Sequence, residues 1–150
     1  MDLFKMFSIS GAGMAAQRSR MSTVAGNLAN AETTRTLEGG PYRRRDVIFK
    51  AVPVSEDFSD LMSASTQETP ESLLTVEVAG IKQSNRAPRK VFDPYHPDAN
   101  AEGYVSLPDI NVMEEMVDML SAVRSYEANL TVYNTTKSLI RRLLEIGRTP

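Results

Sequence analysis

The last third of the chain repeats apolar residues every seven positions, and this repeat limits the fold more than any other sequence feature. Two rows follow this spacing, the second offset from the first by four: Val112, Met119, Tyr126, Tyr133 and Ile140, then Met116, Val123, Leu130, Lys137 and Leu144. Nine of the ten residues are apolar or aromatic, and Lys137 is the exception. Such rows predict a helix that packs along its length against other helices.

Helix-boundary signals bracket this repeat. Asn111 followed by Glu114 fits a capping box, with Pro108 and Asp109 just before it as turn formers. No proline or glycine follows until Gly147. A helix of about 36 residues would be ~54 Å long. That is too long for the core of a compact domain of 150 residues.

A weaker repeat predicts a second helix over residues 3–31. Phe7, Met14, Met21 and Leu28 form one row, and the companion row is small or polar in its middle: Leu3, Ser10, Gln17, Val24 and Ala31. Gly11 and Gly13 lie inside the helix, where each costs roughly 1 kcal/mol relative to alanine. Either these glycines allow a close approach of helices, or the helix bends or starts late near Met14.

Residues 32–108 read as short strands and loops. Apolar runs at 47–52 and 74–78 have strand character, and weaker candidates lie at 91–92 and 104–105. Residues 55–72 are acidic and rich in serine and threonine, which predicts a mobile loop. The expected fold is mainly α with a small β-rich insertion: a discontinuous helical core domain (1–31 plus 109–150) and an outer β and loop region (32–108).

Composition and charge exclude several classes of function. The chain has 17 basic and 19 acidic residues, a net charge of −2, so bulk charge cannot hold it to nucleic acid. It has no cysteine, which removes disulfides, thiolate metal sites and cysteine nucleophiles. No apolar run approaches the ~20 residues of a membrane helix. We therefore expect no nucleic-acid partner and no direct membrane insertion.

Three local motifs could carry chemistry, but each has a more ordinary interpretation. Residues 11–16 (GAGMAA) match a dinucleotide-binding pattern that also requires flanking strands, and none is predicted here. Asp93, His96 and Asp98 could bind a metal, although turn-capping roles are favoured. The arginine run at 43–45 favours pairing with a carboxylate-bearing neighbour. We expect no catalytic residue, metal or cofactor.

The two helices alone would make a marginal fold. Burial of the apolar rows of one helix pair only narrowly offsets the entropy of ordering so long a helix. More neighbouring helices are needed, which favours self-assembly or assembly with homologous subunits. The alternative is a soluble adaptor or regulatory module that uses a two-helix interaction surface.

Several segments resemble a known family. Residues 13–21 (GMAAQRSRM) and 27–31 (NLANA) resemble the N-terminal signature of bacterial flagellar rod and hook proteins. Further segments are similar to the proximal rod branch: PYR and VIF at 41–43 and 47–49, DAN and GYV at 98–100 and 103–105, and MVD, SA, RSY and AN between 116 and 129. Residues 33–36 (TTRT) replace the Thr-x-Gly-Tyr of many other members, which also favours the proximal branch.

The resemblance implies a non-enzymatic subunit of the flagellar basal body, within the rod that spans the periplasm. It implies polymerisation through the terminal helices, which would form the export channel wall and transmit torque. The implied partners are further copies, homologous rod subunits, adaptor proteins of the MS ring or rod base, and the flagellar type III export apparatus. Export through that apparatus needs no cleaved signal peptide.

The candidate site is therefore an assembly interface on the helices. Its residues are Phe7, Met14, Met21, Asn27, Leu28, Asn30, Val112, Met116, Met119, Val123, Tyr126, Leu130, Tyr133, Ile140 and Leu144. Asn27 and Asn30 lie three apart on one helix face near its end. There, amide side chains can bind a neighbour's backbone or cap the last turn.

Overall fold

The computed structural model describes residues 3–54 and 73–147, so the predicted loop at 55–72 lies outside the described residues. The elements in chain order are α1 (Leu3–Ala29), β1 (Arg45–Pro53), β2 (Leu74–Gln83), β3 (Arg89–Phe92), β4 (Tyr104–Leu107) and α2 (Val112–Ile146). Two long terminal helices with a small antiparallel strand region between them confirm the predicted fold class.

Helix α1 runs without interruption through Gly11 and Gly13, so it does not start late near Met14. Gly13 is buried, and a Cβ added there would lie 3.0 Å from side-chain atoms of Asn129 on α2. A Cβ on Gly11 would meet nothing within 4 Å. Close helix approach therefore explains Gly13 but not Gly11.

Helix α2 is 35 residues long and begins where the sequence predicts. The Asn111 side chain accepts the backbone N–H of Met113 at 3.1 Å, and the Asn111 carbonyl accepts the N–H of Glu115 at 3.0 Å. Asn111 is thus the N-cap, which satisfies one of the first free N–H groups of the helix. The helix ends at Ile146, immediately before Gly147.

The strands form two small sheets, one of β1 with β2 and one of β3 with β4. In the second sheet the register places Phe92 opposite Tyr104, and their rings meet edge to face at 5.3 Å. Gly103 has a φ of +79°, and a Cβ there would lie 2.9 Å from the Phe92 ring. The sharp turn into β4 therefore requires glycine at this position.

The chain forms two compact units, and both are discontinuous. One comprises the described parts of 1–18, 49–79 and 124–150, and the other comprises 19–48 and 80–123. Each unit contains a portion of α1, a portion of α2 and part of the strand region. The division into a helical core (1–31 plus 109–150) and an outer region (32–108) concerns placement in an assembly, and it stays a prediction.

Candidate assembly interface and the buried polar network

Asn27 is fully buried near the end of α1, and every hydrogen-bonding position of its amide is used. Its Nδ2 donates to the Arg45 carbonyl oxygen and to Glu115 Oε2, both at 2.9 Å. Its Oδ1 accepts the Arg45 N–H at 2.9 Å and the Tyr42 hydroxyl at 3.1 Å. One side chain thus joins α1 to the start of β1 and to α2.

Glu115, in the first turn of α2, is 1% exposed. Its Oε1 accepts a hydrogen bond from Arg44 Nε at 2.5 Å. Arg44 also lies 2.6 Å from Asp46 and 3.6 Å from Asp118. A buried carboxylate is stable only when it is paired and hydrogen-bonded. We call Asn27, Arg44 and Glu115 the three-element network, because they come from α1, the segment entering β1, and α2.

The charges around Arg44 strengthen this network. Partial burial lowers the pKa of Arg44, but the hydrogen bond and charge of Glu115, with the charges of Asp46 and Asp118, raise it by more. The pKa of Arg44 therefore lies above its ordinary value, and the guanidinium remains charged. Asp118 also forms a half-exposed ion pair with Arg20 of α1 at 2.7 Å.

Asn30 stabilises the end of α1 rather than joining the network. Its Nδ2 donates to the Gly26 carbonyl at 2.8 Å, and its Oδ1 accepts the Thr33 hydroxyl at 3.1 Å. Asn30 therefore has the predicted capping role, while Asn27 binds the backbone of Arg45 in its own chain and not the predicted backbone of a neighbour. Whether either residue also serves an interface between subunits stays a prediction.

The arginine run at 43–45 is predicted to pair with a carboxylate-bearing neighbour, and the carboxylates that Arg44 contacts in the structure belong to its own chain. Its partners Glu115, Asp46 and Asp118 all lie in the same chain. Arg43 and Arg45 are exposed, and the Arg45 guanidinium lies 5.5 Å from the centre of the Tyr42 ring. Sequence reasoning missed both half-buried Arg44 and buried Glu115.

The predicted rows of α2 occupy different environments in the single chain. The central row, defined as Val112, Met119, Tyr126, Tyr133 and Ile140, is half-buried except at Val112, which is exposed. The outer row, defined as Met116, Val123, Leu130, Lys137 and Leu144, is exposed except at half-buried Val123. The buried contacts use a third row, which we call the inner row: Glu115, Ala122, Asn129 and Thr136.

The first predicted row of α1, Phe7, Met14, Met21 and Leu28, is half-buried throughout. Phe7 packs edge to face on Tyr133, with ring centres 4.7 Å apart. The most buried side chains of α1 are smaller ones: Ser10, Ala16, Val24 and Asn27. All of these except Val24 are small or polar, as Gly13 is, and the residues of the inner row on α2 are also small or polar.

The motifs considered for chemistry have structural roles. The glycines of residues 11–16 lie within α1, without the strand that a dinucleotide site requires before them. His96 Nδ1 accepts the N–H of Asp98, and Asp98 accepts the Thr34 hydroxyl at 2.7 Å. Within residues 3–54 and 73–147, no group of three His, Cys, Asp or Glu side chains is placed to hold a metal.

None of the described helices is both long and apolar enough to cross a membrane.

Both ends of the chain match family models. Residues 7–35 match the model described as flagella basal body rod protein, and residues 101–146 match the model described as flagellar basal body rod FlgEFG protein C-terminal. These regions contain nearly all of α1 and α2. The matches define the class as a flagellar basal-body rod protein.

Relatives that match over nearly the whole chain identify one family within this class of rod proteins. The flagellar basal-body rod protein FlgC of Bacillus subtilis (strain 168) is 40% identical over 152 residues, covering 99% of this chain and 100% of the relative. FlgC of Aquifex aeolicus is 43% identical, covering 97% of each chain, and FlgC of Salmonella typhimurium is 37% identical, covering 99% and 100%. The chain belongs to the FlgC family, and it is a structural subunit of the flagellar basal-body rod.

Proposed function

We propose that this rod subunit polymerises through the exposed apolar face of α2, with α1 contributing the half-buried row that contains Phe7 and Met21. The observation that carries the proposal is the exposure of large apolar side chains on one helix. Met116 is 51% exposed, Val117 64% and Leu120 59%, and Leu144 near the far end is 64% exposed. Large apolar side chains exposed at several positions of one helix are typical of a protein–protein interface.

The inner row supports the same proposal. Because the most buried contacts inside the chain use small and polar residues, the larger apolar residues of the outer row remain available to neighbours. A neighbour that contacts a different surface on the next copy generates an open helical assembly instead of a closed ring. Such an assembly would form a tube wall that transmits torque and encloses an export channel.

The partners follow from this arrangement and from the relatives. The FlgC relatives are basal-body rod proteins by name, which supports assembly with other rod components. Further copies and homologous rod subunits would cover the outer row, while adaptors of the MS ring or rod base and the type III export apparatus would meet the subunit during assembly. A role of this kind is mechanical, and it requires neither catalysis nor a cofactor.

A pair of substitutions on one helix tests the proposal. Leu130 belongs to the outer row and is 39% exposed, while Glu127, three residues earlier, is exposed and lies outside the predicted rows. Leu130→Asp would bury an unpaired carboxylate at each interface, at a cost of at least about 2 kcal/mol for every subunit. We expect Leu130→Asp to abolish motility and basal-body formation, and Glu127→Ala to preserve both.

The isolated subunits provide the control. Because Leu130 is partly exposed in the single chain, Leu130→Asp should change its thermal unfolding only slightly. Both variants must be expressed and exported at equal levels. If cells with Leu130→Asp swim and cells with Glu127→Ala do not, α2 presents a different face to its neighbours and the proposal is wrong.

A further inference from the structure

The apolar rows of α1 and α2 do not by themselves define how the helices align. Members of the central row recur every seven residues, so Tyr126 or Ile140 could take the place of Tyr133 against Phe7 after a shift of two turns. All three α2 residues are half-buried and apolar or aromatic. Apolar packing therefore discriminates poorly between registers that differ by one heptad.

The three-element network does not repeat with this period. Seven residues after Glu115 the inner row has Ala122, and seven residues before Asn27 the same face of α1 has Arg20. A shift of one heptad would therefore leave the amide of Asn27 without its carboxylate partner. It would also separate Glu115 from Arg44, whose position depends on the segment entering β1 and not on either helix.

We propose that the three-element network is a register lock, which selects one alignment of α1 against α2 from several that apolar packing would accept. Asn27 and Glu115 are the selecting residues, because they are 0% and 1% exposed and each is satisfied only by the other and by the strand segment. A buried polar residue that fixes the register of packed helices is a well-established use of such groups. This role belongs to the folded subunit and does not depend on how subunits polymerise.

Register can be measured by disulfide trapping, because the chain has no native cysteine. Gly13→Cys with Asn129→Cys reports the native register, since a Cβ on Gly13 lies 3.0 Å from the Asn129 side chain. Gly13→Cys with Ala122→Cys, or with Thr136→Cys, reports a shift of one heptad in either direction. Ala122 and Thr136 belong to the same inner row and are equally buried.

With the network intact, glutathione disulfide should close the native reporter roughly tenfold more readily than either shifted reporter, since the cost of a buried polar group without its partner is of that order. The triple variant Asn27→Leu, Arg44→Met, Glu115→Met should lower this ratio toward one while helix content by circular dichroism is kept. Arg86→Met with Asp109→Leu is the matched control, because it removes an exposed ion pair outside the network, and it should leave the ratio unchanged. An unchanged ratio in a folded triple variant would overturn the proposal.

A rescue experiment decides the case if the triple variant does not fold. Asn27→Asp keeps the side-chain shape but places a second carboxylate against Glu115, so native closure should fall at least about fivefold. Adding Glu115→Gln to the same chain restores a donor opposite the new carboxylate and should recover part of the native closure, although the hydrogen bond to the Arg45 carbonyl stays lost. General destabilisation would not be repaired by a second substitution, so failure of this rescue would also overturn the register lock.

Discussion

The inner and outer rows of α2 lie on the same helix but have opposite compositions. The inner row contains a glutamate, an alanine, an asparagine and a threonine, and three of these four are at most 2% exposed. The outer row contains Met116, Leu130 and Leu144, which are 39% to 64% exposed. In a self-sufficient domain the hydrophobic effect would place the larger apolar residues inside.

Because of this arrangement, α2 uses one face for contacts within the subunit and another for contacts with other subunits. Small residues let the helices approach closely, as Gly13 does against Asn129. Paired polar groups such as Asn27 and Glu115 add directional contacts that apolar packing lacks. The large apolar groups are then left for contacts whose geometry is completed by other subunits.

The largest effect should come from removing the buried carboxylate of the inner row. Glu115→Ala leaves the guanidinium of Arg44 and the amide of Asn27 without their common partner. Arg44 keeps Asp46 and Asp118 as partners, but the buried Asn27 amide loses its acceptor and a charge-assisted hydrogen bond is removed, so we expect a loss of about 2–4 kcal/mol in the free energy of unfolding. Urea unfolding of the isolated subunit, followed by circular dichroism, measures this loss.

The adjacent Glu114 is the control for that measurement. It shares the first turn of α2 but is exposed, so Glu114→Ala should cost no more than about 1 kcal/mol through the helix dipole. If the two alanine variants were equally stable, the inner row would not depend on its polar contacts.

Smaller effects on stability, opposite in sign to each other, are expected at Gly13 and Gly11 of α1. Gly13→Leu must displace the Asn129 side chain, whose Nδ2 donates to the Ser125 carbonyl at 2.9 Å. We expect it to cost about 1–3 kcal/mol, as overpacking does. Gly11→Ala meets nothing within 4 Å and should stabilise by about 0.5–1 kcal/mol through helix propensity.

Thermal unfolding of the two glycine variants distinguishes packing from propensity. Adding Asn129→Ala to Gly13→Leu should recover part of the loss, because it removes the atoms that the leucine meets. If Gly13→Leu raises the melting temperature as Gly11→Ala does, the close approach of the helices at Gly13 does not contribute to stability.

The sequence predicted the helices well because their signals are local. The seven-residue repeat and Asn111 located the start of α2 at Val112, and the alternation around Val76 located β2. The choice of buried face was less predictable. Large apolar residues occur in both the central row and the outer row, so the sequence predicts that both are packed. In the single chain the central row is mostly half-buried, whereas the outer row is mostly exposed.

The three-element network could not be read from the sequence, because its members are far apart in the chain and ambiguous one at a time. Glu115 follows Glu114, and either could have been the solvated acid of the first turn. Arg44 lies between two other arginines, and only the fold distinguishes it from them. A period-seven row of small and polar residues beginning at Glu115 was the available signal, and it indicates close packing only when a glycine such as Gly13 lies opposite.

The smallest effect should appear at high pH, through Tyr42, whose hydroxyl donates to Asn27. Burial raises the pKa of Tyr42, the charge of Arg45 lowers it, and the charge of Glu115 raises it, with a net increase above 10.0. The native state therefore holds this proton more tightly than the unfolded state. Its contribution to stability is complete below pH 10 and is lost as the pH rises through the native pKa.

Tyr42→Phe should remove that loss and also the hydrogen bond, which lowers stability at neutral pH by about 0.5–1.5 kcal/mol. The free energy of unfolding of the unsubstituted chain should then fall more steeply than that of the variant as the pH rises above 10.0, so the two curves converge. Tyr95→Phe is the control, because that ring is 96% exposed and its curve should follow the unsubstituted chain. Parallel curves for Tyr42→Phe and the unsubstituted chain would mean that the phenol proton makes no contribution to the polar contacts of Asn27.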